Sequence, residues 1–223
     1  MKIERVSEHI WALKTWMLIP VRVWIVAEED GVTLVDAGVG SMAKGIMKFI
    51  EQLEAGPIKQ IVLTHGHSDH VGSVTSILKQ YKVPVYVHPI EIPYMEGDRA
   101  YPRRKKAAAS LPKQIVTPLA VNQDGRIESL GSLSCYFTPG HSPGHVAYYH
   151  EKDGVLLAGD LFTSKNGRLN RPMPMFTADM QEAVRSSRII QELKPRRVEV
   201  CHGKPVYDAA DHLDEYVRMM GSS

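Results

Sequence analysis

Thr64-His65-Gly66-His67-Ser68-Asp69-His70 places three histidines and an aspartate within six residues, directly after the apolar run Ile61-Val62-Leu63. Imidazole nitrogens and carboxylate oxygens are ligands for Zn²⁺ and similar borderline cations. At the end of an apolar strand such a crowd is costly to desolvate unless a cation draws the side chains together. A solvated loop is the plainer alternative, but it makes no use of the strand that would fix these residues in place.

Three further segments repeat the arrangement of an apolar strand ending in a ligand-type residue. Cys135-Tyr136-Phe137 leads into Thr138-Pro139-Gly140-His141-Ser142-Pro143-Gly144-His145, Val155-Leu156-Leu157-Ala158 into Gly159-Asp160, and Val198-Glu199-Val200 into Cys201-His202-Gly203. Each strand can deliver its residue to one edge of a sheet, and a neighbouring glycine allows close backbone approach. One such segment is a weak signal, because an aspartate after a strand is usually a turn residue. Four in series are a strong one.

Composition narrows the class. The 223 residues suit a single domain spanning 1–223, and the 43% apolar and 23% charged content is that of a globular chain. With 27 Lys and Arg against 25 Asp and Glu, the net charge of +2 argues against a dedicated nucleic-acid binder. Two cysteines, Cys135 and Cys201, exclude a cysteine-built zinc site, whereas ten histidines are many. The opening MKIERVSEHI is charged where a signal peptide needs an apolar run, and Trp11 to Ala27 is broken by Lys14, Pro20 and Arg22. The expectation is a soluble cytoplasmic protein.

Local patterns predict strands at 21–27, 32–35, 61–63, 83–87, 133–137, 146–149, 155–157 and 198–200. A helix is predicted after Ser41 as N-cap, with Ile46, Met47, Phe49, Ile50 and Leu53 on its apolar face and Gly56-Pro57 as its stop. Further helices are expected at 72–81, within 91–112, from the Asp179/Glu182 capping box to about Leu193, and at 208–220. Strands mixed with helices fit an α+β arrangement of sheets covered by helices.

The motif His65-Gly66-His67-Ser68-Asp69-His70, followed in order by Pro139-Gly140-His141, Gly159-Asp160 and His202, resembles the HxHxDH signature of the metallo-β-lactamase superfamily. Leu34-Val35-Asp36-Ala37-Gly38 is similar to that family's strand-Asp-Gly turn. The resemblance implies a four-layer αββα sandwich of two mixed sheets with outer helices. It also implies two divalent metal ions, Zn²⁺ in the first place with Fe or Mn as alternatives. His65, His67 and His141 would hold the first ion, Asp69, His70 and His202 the second, and Asp160 would bridge them. His145 and Asp36 would support these ligands, and Asp69 would handle the proton. Two ions about 3.5–4 Å apart can share a water and lower its pKa, which makes a hydroxide nucleophile available without a serine or cysteine.

The substrate then implied is a small molecule. Antibiotic-hydrolysing members commonly carry a cysteine ligand where Asp160 stands. Thr138 to His145 shares its wording with N-acyl-homoserine lactonases, which favours an ester or lactone. Asp160-Leu161-Phe162 with Gly167-Arg168 is similar to glyoxalase II, which makes thioester hydrolysis the alternative; an RNA nuclease and a non-catalytic metal-binding protein rank lower. Trp16 to Val21, Phe162 and Met173 to Phe176 are candidate acyl walls, the last also a candidate homodimer surface, with ordinary core as the competing reading. The basic cluster Arg99, Arg103, Arg104, Lys105 and Lys106 has two readings. It could attract a carboxylate, phosphate or RNA, or form a solvated helix face, since Ala107 to Ala109 favour helix. Tyr94 and Tyr101 are candidates to line the entrance. No membrane partner is expected.

Overall fold

The β-branched run Pro20-Val21-Arg22-Val23-Trp24-Ile25-Val26 reads as a strand buried on both faces, and in the computed structural model, which describes residues 1–221, it is one. The chain divides into two compact units, Met1–Ala120 and the part from Val121 onward.

The first unit is built on a seven-stranded sheet. Its elements are β1 (Lys2–Arg5), β2 (Ile10–Trp16), β3 (Pro20–Glu28), β4 (Gly31–Val35), α1 (Ala43–Leu53), β5 (Ile58–Val62), α2 (Ser68–Val71), α3 (Val74–Gln80), β6 (Val85–Val87), α4 (Ile92–Met95) and β7 (Thr117–Pro118). The strands lie in sequence order. The first four are antiparallel, and β4 to β7 run parallel. Parallel neighbours need crossover connections, which α1 supplies between β4 and β5, and α2 with α3 between β5 and β6. The carboxyl ends of β4 and β5 therefore share one edge, where Asp36 and the 64–70 loop emerge. Ligand sites of parallel sheets lie at such edges.

The second unit contains β8 (Leu133–Phe137), β9 (Val146–His150), β10 (Val155–Leu157), β11 (Thr163–Lys165), β12 (Arg168–Asn170), α5 (Met180–Ser186), α6 (Ile189–Leu193), β13 (Arg197–Glu199), β14 (Val206–Tyr207) and α7 (Leu213–Gly221). A five-stranded sheet has the order β14-β13-β10-β9-β8, and β11 pairs with β12 as a separate hairpin. Because β10 and β13 are parallel and β9 is antiparallel to both β8 and β10, the ends of β8, β10 and β13 point the same way. His141, Asp160 and His202 follow those three ends. His145 immediately precedes β9, so it starts from the same edge.

Several local expectations need correction. Ser41 does not cap α1: it sits in a 3₁₀ turn, Gly40–Met42, and Met42 occupies the N-cap. The helix expected to reach Leu193 is broken between α5 and α6, where the Ser187 hydroxyl donates to the Val184 carbonyl (2.6 Å) and competes with the helical pattern. Within 91–112 the α-helical part is α4 alone, and the basic run is not a helix face. Left-handed φ angles at Gly97 (79°) and Arg103 (66°), Pro102, and four consecutive cations at 103–106 override the preference of the alanines. Phe162 is not an acyl wall: it is fully buried in the second unit's core, its ring 5.4 Å from that of Tyr216. Trp16, Met17 and Leu18 are exposed where β2 turns into β3, and Met175 is exposed too. Among the described residues, no helix is long and apolar enough to cross a membrane.

Candidate metal centre

In the first unit one buried carboxylate organises the histidine loop. Asp36 follows β4 with a left-handed φ of 59° and is fully buried. Its Oδ1 accepts from the Thr64 backbone N–H (2.8 Å), and its Oδ2 accepts from the Thr64 hydroxyl (2.8 Å) and from His70 Nδ1 (2.7 Å). Having spent its proton on Asp36, the Thr64 Oγ1 accepts from His65 Nδ1 (3.1 Å). A carboxylate is acceptor-only. The relay therefore fixes both rings in the Nδ1–H tautomer, with the lone pair of each on Nε2. Backbone bonds from Ala37 to the His70 carbonyl (2.6 Å) and from Gly72 to the Gly38 carbonyl (2.7 Å) tie the two loops together.

The ligand-type atoms converge. His65 Nε2 lies 2.9 Å from His67 Nδ1, the rings of His65 and His70 are 4.1 Å apart, and Asp69 Oδ2 is 3.8 Å from His70 Nε2. Two ring nitrogens at 2.9 Å need either a shared proton or a shared cation. Gly66 is constrained by close packing, since a Cβ there would meet the Tyr101 hydroxyl at 2.5 Å and Met95 Cβ at 2.7 Å. Its N–H donates to buried Glu91 Oε1 (3.0 Å), which also accepts from the Tyr101 hydroxyl (2.7 Å). Burial and this carboxylate push the Tyr101 phenol far above its ordinary range. The Tyr101 ring packs edge-on against His67, with centroids 4.7 Å apart.

In the second unit Asp160 occupies the middle of the sheet edge. Its Oδ2 lies 3.3 Å from His141 Nε2 and 3.2 Å from His202 Nε2. One carboxylate oxygen flanked by two imidazole nitrogens is the donor set of a borderline divalent ion. Thr177 Oγ1 donates to the Met173 carbonyl (2.9 Å), so it accepts from His141 Nδ1 (3.3 Å) and leaves that ring's lone pair on Nε2. The turn carrying His141 is pressed against α5. Gly140 has a φ of 130°, and a Cβ there would lie 2.1 Å from the Ala183 nitrogen. His145 is engaged differently, with Nδ1 2.9 Å from Thr138 Oγ1 and Nε2 accepting from the Asp160 backbone N–H (3.2 Å).

Asp36, His65, His67, Asp69 and His70 are thus gathered in the first unit, and His141, His145, Asp160 and His202 in the second. Their donor types and tautomers fit a metal ion. Thr64, Glu91, Thr138 and Thr177 were not among the expected site residues. Thr64 and Thr138 are legible only as polar residues beside the motifs; Glu91 and Thr177 carry no sequence signal, because their roles arise from packing. Cys201 is fully buried, and burial pushes the thiol of Cys135 up to about 12.

Comparison with known proteins points the same way. Residues 17–202 match the family model described as the metallo-beta-lactamase superfamily. The chain is 34% identical over 221 residues to the probable metallo-hydrolase YybB of Bacillus subtilis, covering 97% of this chain and 98% of that protein. It superposes on a metallo-beta-lactamase from Erythrobacter litoralis, crystallised with beta mercaptoethanol in the active site, with a TM-score of 0.78 at 18% identity, over 97% of this chain and 96% of the other. The solved structure of TTHA1623 in a di-iron-bound form matches at 28% identity and a TM-score of 0.67, over 88% of this chain and 94% of that one.

Proposed function

The chain belongs to the metallo-β-lactamase superfamily, with that family's fold and a metallo-hydrolase's residues, and from that premise we propose that it is a dinuclear enzyme cleaving a small ester or lactone. The observation that carries the reading is Asp160, whose Oδ2 lies within 3.3 Å of two imidazole Nε2 atoms. By the family resemblance His65, His67 and His141 would hold one divalent ion, Asp69, His70 and His202 would hold the other, and Asp160 would serve as a ligand to both. When bound, two such ions supply Lewis acidity and a nucleophile at neutral pH; Zn²⁺ is the first choice, with Fe or Mn as alternatives.

The chain's own residues do the positioning. The Asp36–Thr64 relay holds His65 and His70 with Nε2 available for coordination, and Thr177 does the same for His141. Asp69, partly exposed beside His70, takes up the proton released in hydrolysis and returns it to the leaving alcohol. His145 steadies Asp160 from behind. A cytoplasmic location belongs to the same reading, and the two buried free cysteines suit a reducing compartment.

Metal-loaded protein screened against lactones, carboxylic esters, thioesters, phosphodiesters and β-lactams tests the proposal. Turnover is expected on an ester or lactone. Turnover confined to thioesters would replace the reading with glyoxalase II-like chemistry, and turnover confined to phosphodiesters would replace it with nuclease chemistry. His145→Ala is expected to keep nearly the wild-type metal content while losing about 1–3 kcal/mol of stability, because the Asp160 N–H and Thr138 lose their partner. Elemental analysis and urea unfolding measure the two effects; a variant stripped of a whole ion would make His145 a ligand.

A further inference from the structure

Gly66 stands between two of the imidazoles, and the relative placement of His65 and His67 depends on the torsions across it. Glycine restricts those torsions least of all residues. Close packing nevertheless demands a glycine, because a Cβ here would meet the Tyr101 hydroxyl at 2.5 Å and Met95 Cβ at 2.7 Å. Gly66 is buried and lies outside any helix or strand, so its peptide groups need partners from elsewhere. One short stretch of chain supplies both. Glu91, at the end of the 3₁₀ turn Pro89–Glu91, accepts from the Gly66 N–H through Oε1 (3.0 Å), and the Ser110 hydroxyl donates to the Gly66 carbonyl (2.6 Å). Ser110 is in turn tied to α4, its N–H donating to the Met95 carbonyl (2.8 Å). The same Glu91 oxygen accepts from the Tyr101 hydroxyl (2.7 Å). The Tyr101 ring lies edge-on to His67 and stacks on Tyr94, with centroids 4.7 and 5.2 Å apart.

We infer that Glu91 and Ser110 are positioning residues of the metal centre, which clamp both polar groups of Gly66 and so set the spacing and angle of His65 and His67. Their role differs from that of Asp36, which bonds to the ring of His70 directly. Asp36 fixes which ring nitrogen carries the lone pair; the clamp on Gly66 fixes where the nitrogens stand. Ligand distances in metal sites hold to within about 0.2 Å, and a loop free to turn at a glycine meets that tolerance only by losing conformational freedom on binding. Ligands held in place by the chain's own hydrogen bonds lose less, which raises affinity. Through Tyr101 the Glu91 oxygen also holds the ring that packs on His67, so one carboxylate steadies both the backbone of the loop and the flank of a ligand-type side chain.

The inference rests on the reading of His65 and His67 as ligands to one ion, and His67→Ala separates the two. Metal-free protein is titrated with Co²⁺ against a competing chelator, and the visible bands of bound Co²⁺ report the geometry of the site. His67→Ala should lose one of about two ions, which identifies the ion concerned. Glu91→Ala and Ser110→Ala should each bind that ion at least about tenfold more weakly, with altered Co²⁺ bands, and the other ion within about twofold of wild type. Glu91→Gln, whose amide oxygen can still accept from Gly66 and Tyr101, should regain wild-type affinity to within about threefold. Ser110→Ala, which removes a single hydroxyl, carries the test if Glu91→Ala does not fold. Wild-type affinity and bands in the folded alanine variants, with only their urea stability reduced, would give both residues a structural role and overturn the inference. Equal weakening of both ions, or a Glu91→Gln variant as weak as Glu91→Ala, would overturn it as well. Two ions retained by His67→Ala would overturn the ligand reading and the inference with it. One ion lost by His67→Ala, with Glu91→Ala and Ser110→Ala unaffected, would overturn the inference alone.

Discussion

Asp36→Asn is expected to weaken metal binding at least about 100-fold, although Asp36 itself is not among the proposed ligands. Supporting hydrogen bonds to metal-bound imidazoles are worth roughly 10- to 100-fold in affinity each, and this carboxylate supports two of them, His70 directly and His65 through Thr64. Asparagine keeps the shape and tolerates the left-handed φ of 59°, so the backbone does not force the outcome. The amide has only one oxygen. If that oxygen keeps the Thr64 N–H, the NH₂ faces His70 Nδ1 and drives the ring into the Nε2–H tautomer, which has no lone pair for a metal. If the amide flips, a buried N–H of Thr64 loses its acceptor at about 1–3 kcal/mol. A chelator-competition titration measures the first effect and urea unfolding of the metal-free protein the second. Wild-type metal affinity in this variant would show that Asp36 serves the turn and not the histidines.

The legible part of this molecule was its edge. Apolar β-branched runs ending in histidine or aspartate predict both strands and ligands, because a strand buried on both faces tolerates polar residues only where it stops, and the runs at 133–137 and 155–157 are indeed β8 and β10. The identity of the ligand-type residues was readable for the same reason: few structural roles call for three imidazoles in six residues. What could not be read is whatever depends on which side chain meets which. The relay from Asp36 through Thr64 to His65 spans 29 positions, and the Glu91 contact to Gly66 spans 25; neither has a local period. In the basic segment the alanines point to a helix that does not form, and Pro102 with the run of four cations opposes one. The segment's cations are exposed, as a solvated face requires, but on an irregular path and not on a helix.

Asp160 gives the sharpest separation between a metal role and a structural one. Its carboxylate touches His141 and His202, both imidazoles that the metal reading assigns as ligands, through one oxygen. Removing it by Asp160→Ala takes a shared donor from both proposed ions and leaves the backbone N–H that His145 accepts from in place. The metal-free variant should lose no more than about 1–3 kcal/mol relative to metal-free wild type, the cost of removing one buried polar partner. The loaded proteins should differ widely. A ligand that binds only the folded state at 100 times its Kd stabilises by about 2.7 kcal/mol, so added metal should raise the melting temperature of wild type and leave that of Asp160→Ala nearly unmoved. Metal content should fall from about two ions per chain to one or fewer, and turnover on the best ester should fall at least about 1,000-fold, equivalent to some 4 kcal/mol of barrier. A variant that keeps its metal-dependent stabilisation while losing turnover would make Asp160 a proton-handling group and leave the two ions to be held by histidines and Asp69 alone.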